Sequence, residues 1–331
     1  MNTIGRIFRV SVLGESHGEC VGVLLHGCPA GLPLGEKDFV KDIARRKPGA
    51  PGTTARREGD TPRIMSGVFN GKTTGAPILI LFDNEDADCS AYDKIKNMPR
   101  PGHADFTAHA KYGGFNDHRG GGHFSGRLTL PLVAAGVVAK KIIRPAKVEA
   151  RLVEVGGHAA VDKGLKRALG RGDSVGGIVE CRSEGLPIGL GEPFFDSAES
   201  VLSHALFAIP AVKGVEFGYG FGSARMLGSE CADEFVGAGG KTGTNHAGGI
   251  HGGLTNGNEL VLRVAVKPTS TINKPVRTID LKKGRLATAT FQGRHDACIA
   301  LRTPVIVEAV TATVLADLML INQERPRVAR E

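Results

Sequence analysis

Short apolar runs, many of them alternating with polar residues or bounded by Gly and Pro, recur along this chain. Alternation with a period of two, together with β-branched residues, is typical of strands. The pattern predicts strands over Arg6–Leu13, Val21–His26, Ile64–Phe69, Ala76–Phe82, Ser174–Arg182, Val215–Tyr219 and Glu259–Val266.

Three other segments repeat their apolar residues at helical spacing. They are Glu36–Arg46, Leu128–Ile143, which has Pro131 in its first turn where proline is tolerated, and about Val305–Leu320. Strands in hairpin-like pairs with few long helices between them predict an α/β or α+β fold. No Pro/Ser-rich linker or shift in composition divides the chain, so we expect a single compact domain over residues 1–331.

Composition narrows the partners that this chain can have. Its 47 glycines are scattered through apolar segments, which excludes a collagen-like repeat. The 42 Lys and Arg exceed the 34 Asp and Glu, for a net charge of +8, and favour an anionic partner. No Lys/Arg tract exceeds three residues, and basic residues do not interleave with aromatic ones. We therefore expect a small anionic substrate rather than nucleic acid.

The cysteines and the apolar segments indicate where the protein works. None of the six cysteines forms a C-x-x-C pair, so reduced thiols in a cytoplasmic setting are expected. The N-terminal segment is a poor signal peptide because charged residues interrupt it. The longest apolar run, around Leu130–Ala139, is too short to span a bilayer, so we expect no membrane partner.

The stretch Asp117–Arg127 carries the strongest sign of chemistry. Three successive glycines are flanked by two arginines, two histidines and a serine. Such a run is typical of backbone that turns sharply or approaches a ligand closely, and the flanking groups donate hydrogen bonds to anionic oxygens. A flexible linker would be rich in Gly and Ser without clustered Arg and His. The stretch predicts a binding loop for a phosphate or a phosphorylated cofactor.

Other polar clusters flanked by glycine or proline add candidate acids and bases. Gly14–Gly18 places His17 at a tight turn, where a histidine can act as an acid or base or can simply cap the turn. Arg100–Asp105 repeats the arrangement around His103. At residues 294–296, two cations precede a carboxylate, which should keep Asp296 ionised and able to take a proton.

Further clusters supply cationic and hydroxyl groups. Lys267–Thr271 suits phosphate oxygens, and Asn245–Gly253 is a second glycine-rich loop. The basic residues of 45–47 and 56–57 surround a Gly/Pro loop, although a solvated basic face explains them equally well. Pairs of histidines leave a metal-dependent hydrolase as an alternative, but no His-Glu-x-x-His pattern accompanies them, so we expect no metal.

Taken together, the clusters resemble the chorismate synthase family. The segments that carry the resemblance follow in the family's order, within a match from Thr3 to about Leu320. They are Gly14–Gly18, Arg45–Asp60, Ser66–Gly75, Arg100–Asp105, Asp117–Arg127, Asn245–Gly253, Lys267–Thr271 and Arg294–Cys298.

The resemblance implies an α+β protein, a β-α-β sandwich with mixed, largely antiparallel sheets, assembled as a homotetramer. It implies a lyase that converts 5-enolpyruvylshikimate 3-phosphate to chorismate and phosphate. This anti-1,4-elimination in the shikimate pathway of aromatic amino acid biosynthesis needs reduced FMN (FMNH2) and has no net redox change. Some family members reduce the flavin themselves with NADPH, and others depend on an outside reductant.

The resemblance also implies roles for individual residues. His17 would protonate the departing phosphate, His103 would protonate or hold the reduced flavin, and Asp296 would help to remove the proton passed to flavin N5. Arg46, Arg119 and Arg127 would bind the substrate's anionic groups. The expected FMN contacts are His123, Phe124, Ser125, Ala211, Gly252, Lys267, Pro268, Thr269, Ser270, Thr271 and Arg294. This sequence departs from the commonest family pattern at His123, Phe124, Leu128 and Pro210.

Overall fold

Two antiparallel sheets lie on either side of a pair of apolar helices. The structure, a computed structural model, describes residues 2–49, 51–54, 58–86, 92, 96–291 and 295–324. Arg294, Arg56 and Arg57, which belong to clusters named above, lie outside the described residues.

The strands are β1 (Thr3–Ile4), β2 (Arg9–Gly14), β3 (Cys20–His26), β4 (Arg63–Ile64), β5 (Val68–Phe69), β6 (Lys72–Thr73), β7 (Ile78–Asp83), β8 (Lys147–Val155), β9 (Gly177–Glu184), β10 (Val212–Phe217), β11 (Ile250–His251), β12 (Leu254–Thr255), β13 (Leu260–Val266), β14 (Pro275–Asp280) and β15 (Arg285–Thr290). The α-helices are α1 (Val40–Arg46), α2 (Asp105–Tyr112), α3 (Thr129–Ile142), α4 (Val161–Leu169), α5 (Ala198–Leu206), α6 (Gly228–Cys231) and α7 (Thr303–Glu324). Single 3-10 turns occupy Glu36–Phe39, Arg119–Phe124, Gly126–Leu128, Phe194–Asp196, Gly220–Arg225 and Ile299–Arg302.

The first sheet has the strand order β1-β2-β3-β7-β4, and the second has the order β10-β13-β9-β8. In β3, Val21, Val23 and Leu25 alternate with less buried residues and are fully buried. One face of this strand therefore contributes to the core, as the period of two predicts. Every strand pairing that the structure describes is antiparallel.

Helices α3 and α7 pack on each other and fill the space between the sheets. Helix α3 contacts β2 and β3 of the first sheet, and α7 contacts β8 and β9 of the second. A Cβ atom at Gly136 would lie 2.2 Å from the Cβ of Ala309, so the glycine lets the two helices approach closely. The layers confirm the predicted β-α-β sandwich of the α+β class.

Helix α7 is the longest described helix and carries one polar tie to the N-terminal strands. The carboxylate of Asp317 accepts hydrogen bonds from the backbone N–H groups of Arg6, Ile7 and Phe8 at 2.8–2.9 Å. The helical region Ile299–Gln323 is long and apolar enough to cross a membrane, but 78% of its most apolar window is buried inside the protein. The segment long enough to span a membrane is therefore this region and not Leu130–Ala139, and it forms a helix in the core of the protein.

Most of the predicted elements are present, with shifted ends. The predicted strand Ile64–Phe69 is wrong, because Gly67 has φ +80° and separates β4 from β5, which belong to different sheets. Helices α2, α4 and α5, strand β8 and the hairpin of β14 and β15 are among the elements that were not predicted. In β8, polar and apolar residues alternate (KVEARLVEV), so its signal was present in the sequence.

Candidate active site

The three glycines of the predicted binding loop all adopt backbone conformations that side chains disfavour. Gly120, Gly121 and Gly122 have φ values of +59°, +82° and +52°. A Cβ atom at Gly122 would lie 2.1 Å from the backbone oxygen of Asp117. Only glycine accommodates this combination of positive φ and close backbone approach, so the run is required by the shape of the loop.

His17 lies directly against this loop. A Cβ atom at Gly120 would be 2.0 Å from Nδ1 of His17, so the absence of a side chain makes room for the imidazole. The backbone N–H of Ser16 donates to the oxygen of Gly122 at 3.1 Å, and the hydroxyl of Ser16 lies 3.3 Å from Nδ1 of His17. The turn after β2 and the glycine loop, which are more than 100 residues apart in sequence, therefore form one surface.

His103 contacts the next glycine of the same loop. A Cβ atom at Gly121 would lie 3.1 Å from Cε1 and 3.2 Å from Nε2 of His103. The other ring nitrogen, Nδ1, is 2.6 Å from Oδ1 of Asp105. The two histidines thus lie against successive glycines, and the structure brings together three clusters that the sequence shows separately.

The residues that follow the glycines stabilise the loop itself. Nδ1 of His123 is 2.8 Å from the backbone oxygen of Gly14, which ties the loop to the end of β2. The hydroxyl of Ser125 accepts from the N–H of Arg127 at 3.3 Å and caps a 3-10 turn. Phe124 is partly exposed, with its ring 6.4 Å from that of Tyr112.

Two of the predicted substrate-binding arginines share a buried carboxylate. Nη2 of Arg46 is 3.1 Å from Oδ2 of Asp60, and Nη1 of Arg127 donates to Oδ1 of the same residue. All three side chains are almost completely buried. Burial alone would raise the pKa of Asp60, but the charges of the two arginines outweigh it and lower this pKa.

The two guanidinium groups differ in how fully the protein satisfies them. Arg127 also donates to the side chain of Asn84 at 2.9 Å and to the backbone oxygen of Asp83 at 3.2 Å. Among the described residues, Nε of Arg46 is buried and has no hydrogen-bond partner. Burial lowers the pKa of Arg46 to about 10 although Asp60 opposes the shift, so the group remains charged at neutral pH.

Asp296 is nearly buried and is held by groups from distant parts of the chain. Its Oδ1 accepts from the N–H of Thr54 at 2.8 Å, and its Oδ2 accepts from Nη2 of Arg302. Its backbone oxygen accepts from the hydroxyl of Thr269 at 2.6 Å. Arg302 in turn lies 3.5 Å from the backbone oxygen of Arg46. These contacts connect Asp296 both to the buried arginine cluster and to the loop Lys267–Thr271.

The loop Lys267–Thr271 reaches the turn that carries His103. Nζ of Lys267 donates to the backbone oxygen of Gly102 and to the hydroxyl of Ser270, each at 2.6 Å. The N–H of Lys267 donates to the oxygen of Ala211 at 2.9 Å. Ala211 is one of few non-glycine residues with positive φ, at +74°, a strained conformation that is often found at functional sites.

Two predicted site residues occupy more peripheral positions. Gly252 lies in the turn between β11 and β12, where the neighbouring Gly253 packs against Ser197. Arg119 is 42% exposed, and its guanidinium pairs with Asp117 at 2.9 Å.

Sequence reasoning missed several residues that hold the predicted ones in place. Asp60 and Asp105 had a local signal, since each lies in a motif quoted above, yet neither received a role. Arg302 and Asn84 had no signal, because their contacts with Asp296 and Arg127 depend on packing.

A separate surface groove is lined by none of the predicted site residues. It has a volume of about 1050 Å³ and lies between α1, α3 and β8. Its buried Glu308 is paired with Arg45 at 2.8 Å and with Lys140. Asp42 pairs with the same two cations, so this group of two carboxylates and two cations is neutral as a whole.

The site combines two histidines, an ion-paired carboxylate and buried arginines. Such a combination is typical of an enzyme that applies acid–base chemistry to a small anionic substrate. Comparison with known proteins identifies the enzyme family. The family model described as chorismate synthase matches residues 8–320. The chorismate synthase of Chitinophaga pinensis is 60% identical over 329 residues, which cover 99% of each chain.

More distant relatives give the same result. The chorismate synthase of Thermococcus kodakarensis is 44% identical, with 96% of this chain and 97% of the relative covered. A crystal structure of a chorismate synthase matches with a TM-score of 0.75 and 27% identity, over 96% of this chain and 93% of that one. The chain belongs to the chorismate synthase family: it is a lyase of the shikimate pathway that converts 5-enolpyruvylshikimate 3-phosphate to chorismate. The family implies a reduced flavin cofactor.

Proposed function

We propose that the elimination takes place at the glycine loop, with His17 and His103 as its proton-handling groups. The observation that carries the proposal is the contact of these two imidazoles with the successive glycines 120 and 121. The reaction breaks a C–O bond to phosphate and a C–H bond, so one group must protonate or neutralise the phosphate and another must accept a proton. Two histidines that lie against one loop are suited to both functions.

We assign the protonation of the departing phosphate to His17 and contact with the flavin to His103. Asp296 serves as the carboxylate that assists proton removal, and its pairing with Arg302 holds it in place. Arg46, Arg119 and Arg127 provide positive charge for the substrate's two carboxylates and phosphate. The buried Nε of Arg46, which has no partner among the residues that the structure describes, supports its part in this assignment, since an unsatisfied buried donor is costly unless a ligand uses it.

The cofactor that we propose is FMN in its reduced form. When bound, it would supply electrons transiently, with no net redox change. The residues present fit its phosphate: Lys267 and Ser270 place a cation and a hydroxyl beside Gly102, next to His103, and the hydroxyl of Thr269 lies at the backbone of Asp296. Thr271 and Pro268 complete this loop. His123, Phe124, Ser125, Ala211, Gly252 and Arg294 remain proposed contacts.

The wider setting is also a proposal. We infer a homotetramer from the family resemblance, and Phe194, Phe195, Phe221 and Phe235, each more than 70% exposed, are candidate apolar contacts between subunits. Sedimentation of the purified protein as a monomer would contradict this. We further propose a cytoplasmic enzyme that acts as one domain over residues 1–331, with NADPH as the reductant of its own flavin.

An anaerobic assay with 5-enolpyruvylshikimate 3-phosphate and FMN tests the cofactor and the reductant together. We expect chorismate to form when dithionite reduces the flavin, and to form with NADPH in place of dithionite if the protein reduces its own flavin. No chorismate with dithionite would contradict the choice of FMN, whereas activity with dithionite alone would contradict only the proposal about NADPH.

Substitution tests the assigned residues in the same assay. We expect His17→Ala and Asp296→Ala each to lower turnover by at least about a hundredfold, the usual scale for lost acid–base catalysis. Gly228→Ala, at a helix start where a Cβ meets open space, provides the control. Normal turnover in either variant would contradict the role assigned to that residue.

A further inference from the structure

A carboxylate supports His103 from the side away from the glycine loop. Oδ1 of Asp105 lies 2.6 Å from Nδ1 of His103, and both side chains are about one-fifth exposed. Burial opposes ionisation of Asp105, but hydrogen bonds from Arg100 and His103 outweigh it and hold the pKa of this carboxyl well below its usual range. An ionised carboxylate only accepts hydrogen bonds, so the Nδ1 atom of His103 must carry the hydrogen.

Asp105 is itself fixed in place by Arg100. Nε and Nη2 of Arg100 donate to the two carboxylate oxygens at 2.7 and 2.9 Å, and the backbone N–H of Arg100 adds a third bond at 3.0 Å. Arg100 is almost completely buried. A carboxylate that accepts two hydrogen bonds from a planar guanidinium group and one from a backbone N–H has little freedom to rotate.

The other edge of the imidazole faces the loop. With Nδ1 bound to Asp105, Nε2 is the ring nitrogen nearer the loop, and a Cβ atom at Gly121 would lie 3.2 Å from it. Among the described residues, the charged or titratable groups around the ring include Arg100, whose Nη2 is 3.2–3.3 Å from both ring nitrogens, His295, and Lys267, whose Nζ binds the oxygen of Gly102. Burial and the charge of Arg100 lower the pKa of His295 to about 4, so His295 is neutral at neutral pH.

We infer that Asp105, which Arg100 holds in place, is a positioning residue that sets the tautomer and orientation of His103. As a result, Nε2 of His103 is the nitrogen that exchanges or shares a proton with the bound ligand. This inference rests on the role proposed above for His103. It adds an Arg–Asp–His relay of hydrogen bonds, contained within residues 100–105, to the proposed active site. The arrangement corresponds to the general rule that a catalytic imidazole is oriented by the partner of its other nitrogen.

The test is a double-mutant cycle measured with saturating reduced FMN. Asp105→Asn keeps the shape of the side chain but presents an amide NH2, which can turn Nδ1 of His103 into an acceptor. We expect kcat to fall about 10- to 100-fold, the scale found when a partner that orients a functional histidine is lost. We expect KM for 5-enolpyruvylshikimate 3-phosphate to change little, since Asp105 does not face the substrate in this assignment.

The second arm of the cycle separates positioning from a merely structural role. In a His103→Ala background there is no ring to position, so Asp105→Asn should cause no further loss of kcat. Asp105→Glu should restore part of the activity, because it returns the carboxylate. If Asp105→Asn does not fold, Arg100→Lys replaces that variant in the cycle. Arg100→Lys keeps the positive charge but removes the two-pronged guanidinium contact that holds Asp105.

Asp38→Asn is the matched control. Asp38 also accepts a backbone N–H, from Gly35 at 2.9 Å, and a lysine, Lys141, at 2.7 Å, but it belongs to the turn before α1. We expect this variant to have wild-type kcat. Wild-type kcat in Asp105→Asn, or an equal loss of kcat in the presence and absence of His103, would overturn the inference. Wild-type kcat in His103→Ala alone would instead overturn the role proposed for His103, and the positioning role with it.

Discussion

Individual residues decide whether the proposed catalytic groups can be assembled at all. His17 occupies space that exists only because Gly120 lacks a side chain, and a Cβ atom at Gly121 would crowd His103 at 3.1 Å. Both glycines also have positive φ, so a larger residue would be strained even if the histidines moved. At this scale, the glycine loop is as much a part of the site as the imidazoles.

Gly120→Ala should therefore remove activity through His17. The new methyl group would lie 2.0 Å from Nδ1 of His17, so the ring must move by an ångström or more. Displacement of this size costs on the order of a hundredfold in rate, and we expect kcat to fall by at least that factor. Turnover and circular dichroism should be measured together, with Gly228→Ala as the control. A folded Gly120→Ala protein with normal kcat would contradict the placement of His17.

His295 should make stability depend on pH in a defined window. Its pKa is about 4 in the folded protein, because of burial and the charge of Arg100, against about 6.5 in an unfolded chain. Between these values the unfolded state binds a proton that the folded state does not, so the free energy of unfolding decreases as pH falls from 6.5 to 4 and levels off below 4. The full loss is on the order of 3 kcal/mol.

Urea unfolding at pH 7 and pH 4.5 measures this effect. His295→Gln should reduce the difference between the two pH values, whereas His204→Gln, on the exposed side of α5, should leave it as in the wild type. An unchanged pH difference in His295→Gln would show that other groups are responsible.

At the scale of elements, the close contact between α3 and α7 holds the two layers of the sandwich together. Small residues line this contact, and Gly136 is the point where a methyl group has no room. Packing of this kind permits close backbone approach and depends on shape rather than on charge.

Gly136→Ala tests that contact. The added Cβ atom would lie 2.2 Å from the Cβ and 2.4 Å from the Cα of Ala309, so the helices must separate. Overpacking of a core typically costs 1–3 kcal/mol, and we expect the free energy of unfolding to decrease by about that amount. Denaturant titration provides the measurement. If the midpoint equals that of the Gly228→Ala control, the helices are not in contact at Gly136.

For the whole molecule, the central helices couple the two sheets into one structure. Helix α7 contacts β8 and β9, packs on α3, which contacts β2 and β3, and binds the N-terminal backbone through Asp317. One sheet cannot lose its packing without exposing a helix on which the other depends. This arrangement supports the proposal of a single domain.

We therefore expect a single unfolding transition. The protein has no tryptophan, so tyrosine fluorescence is an accessible probe, with Tyr112 at the end of α2 and Tyr219 after β10. The urea midpoint from this fluorescence should coincide with the midpoint from far-UV circular dichroism. Two separate midpoints would contradict the single domain.

Local patterns in the sequence determined most of the elements and the identity of the candidate chemistry. Period-two strands such as β3 and β13, and the apolar helices α3 and α7, were predictable because periodicity reports which face of an element is buried. The glycine loop was predictable because three adjacent glycines and their polar neighbours carry a steric and a chemical signal within eleven residues. The family resemblance rested on the order of such local motifs.

Only the tertiary structure decided which of these motifs meet. Asp60 is shared by Arg46 and Arg127, Thr54 binds Asp296 across 242 positions, and His17 lies against Gly120. Such contacts depend on how the layers pack, and no local pattern encodes the distance between two segments that are far apart in the chain. The sequence by itself therefore determined the candidate catalytic and binding groups, and tertiary packing decided which residues they contact. The reason is that backbone sterics and periodicity are local, whereas burial is a property of the whole fold.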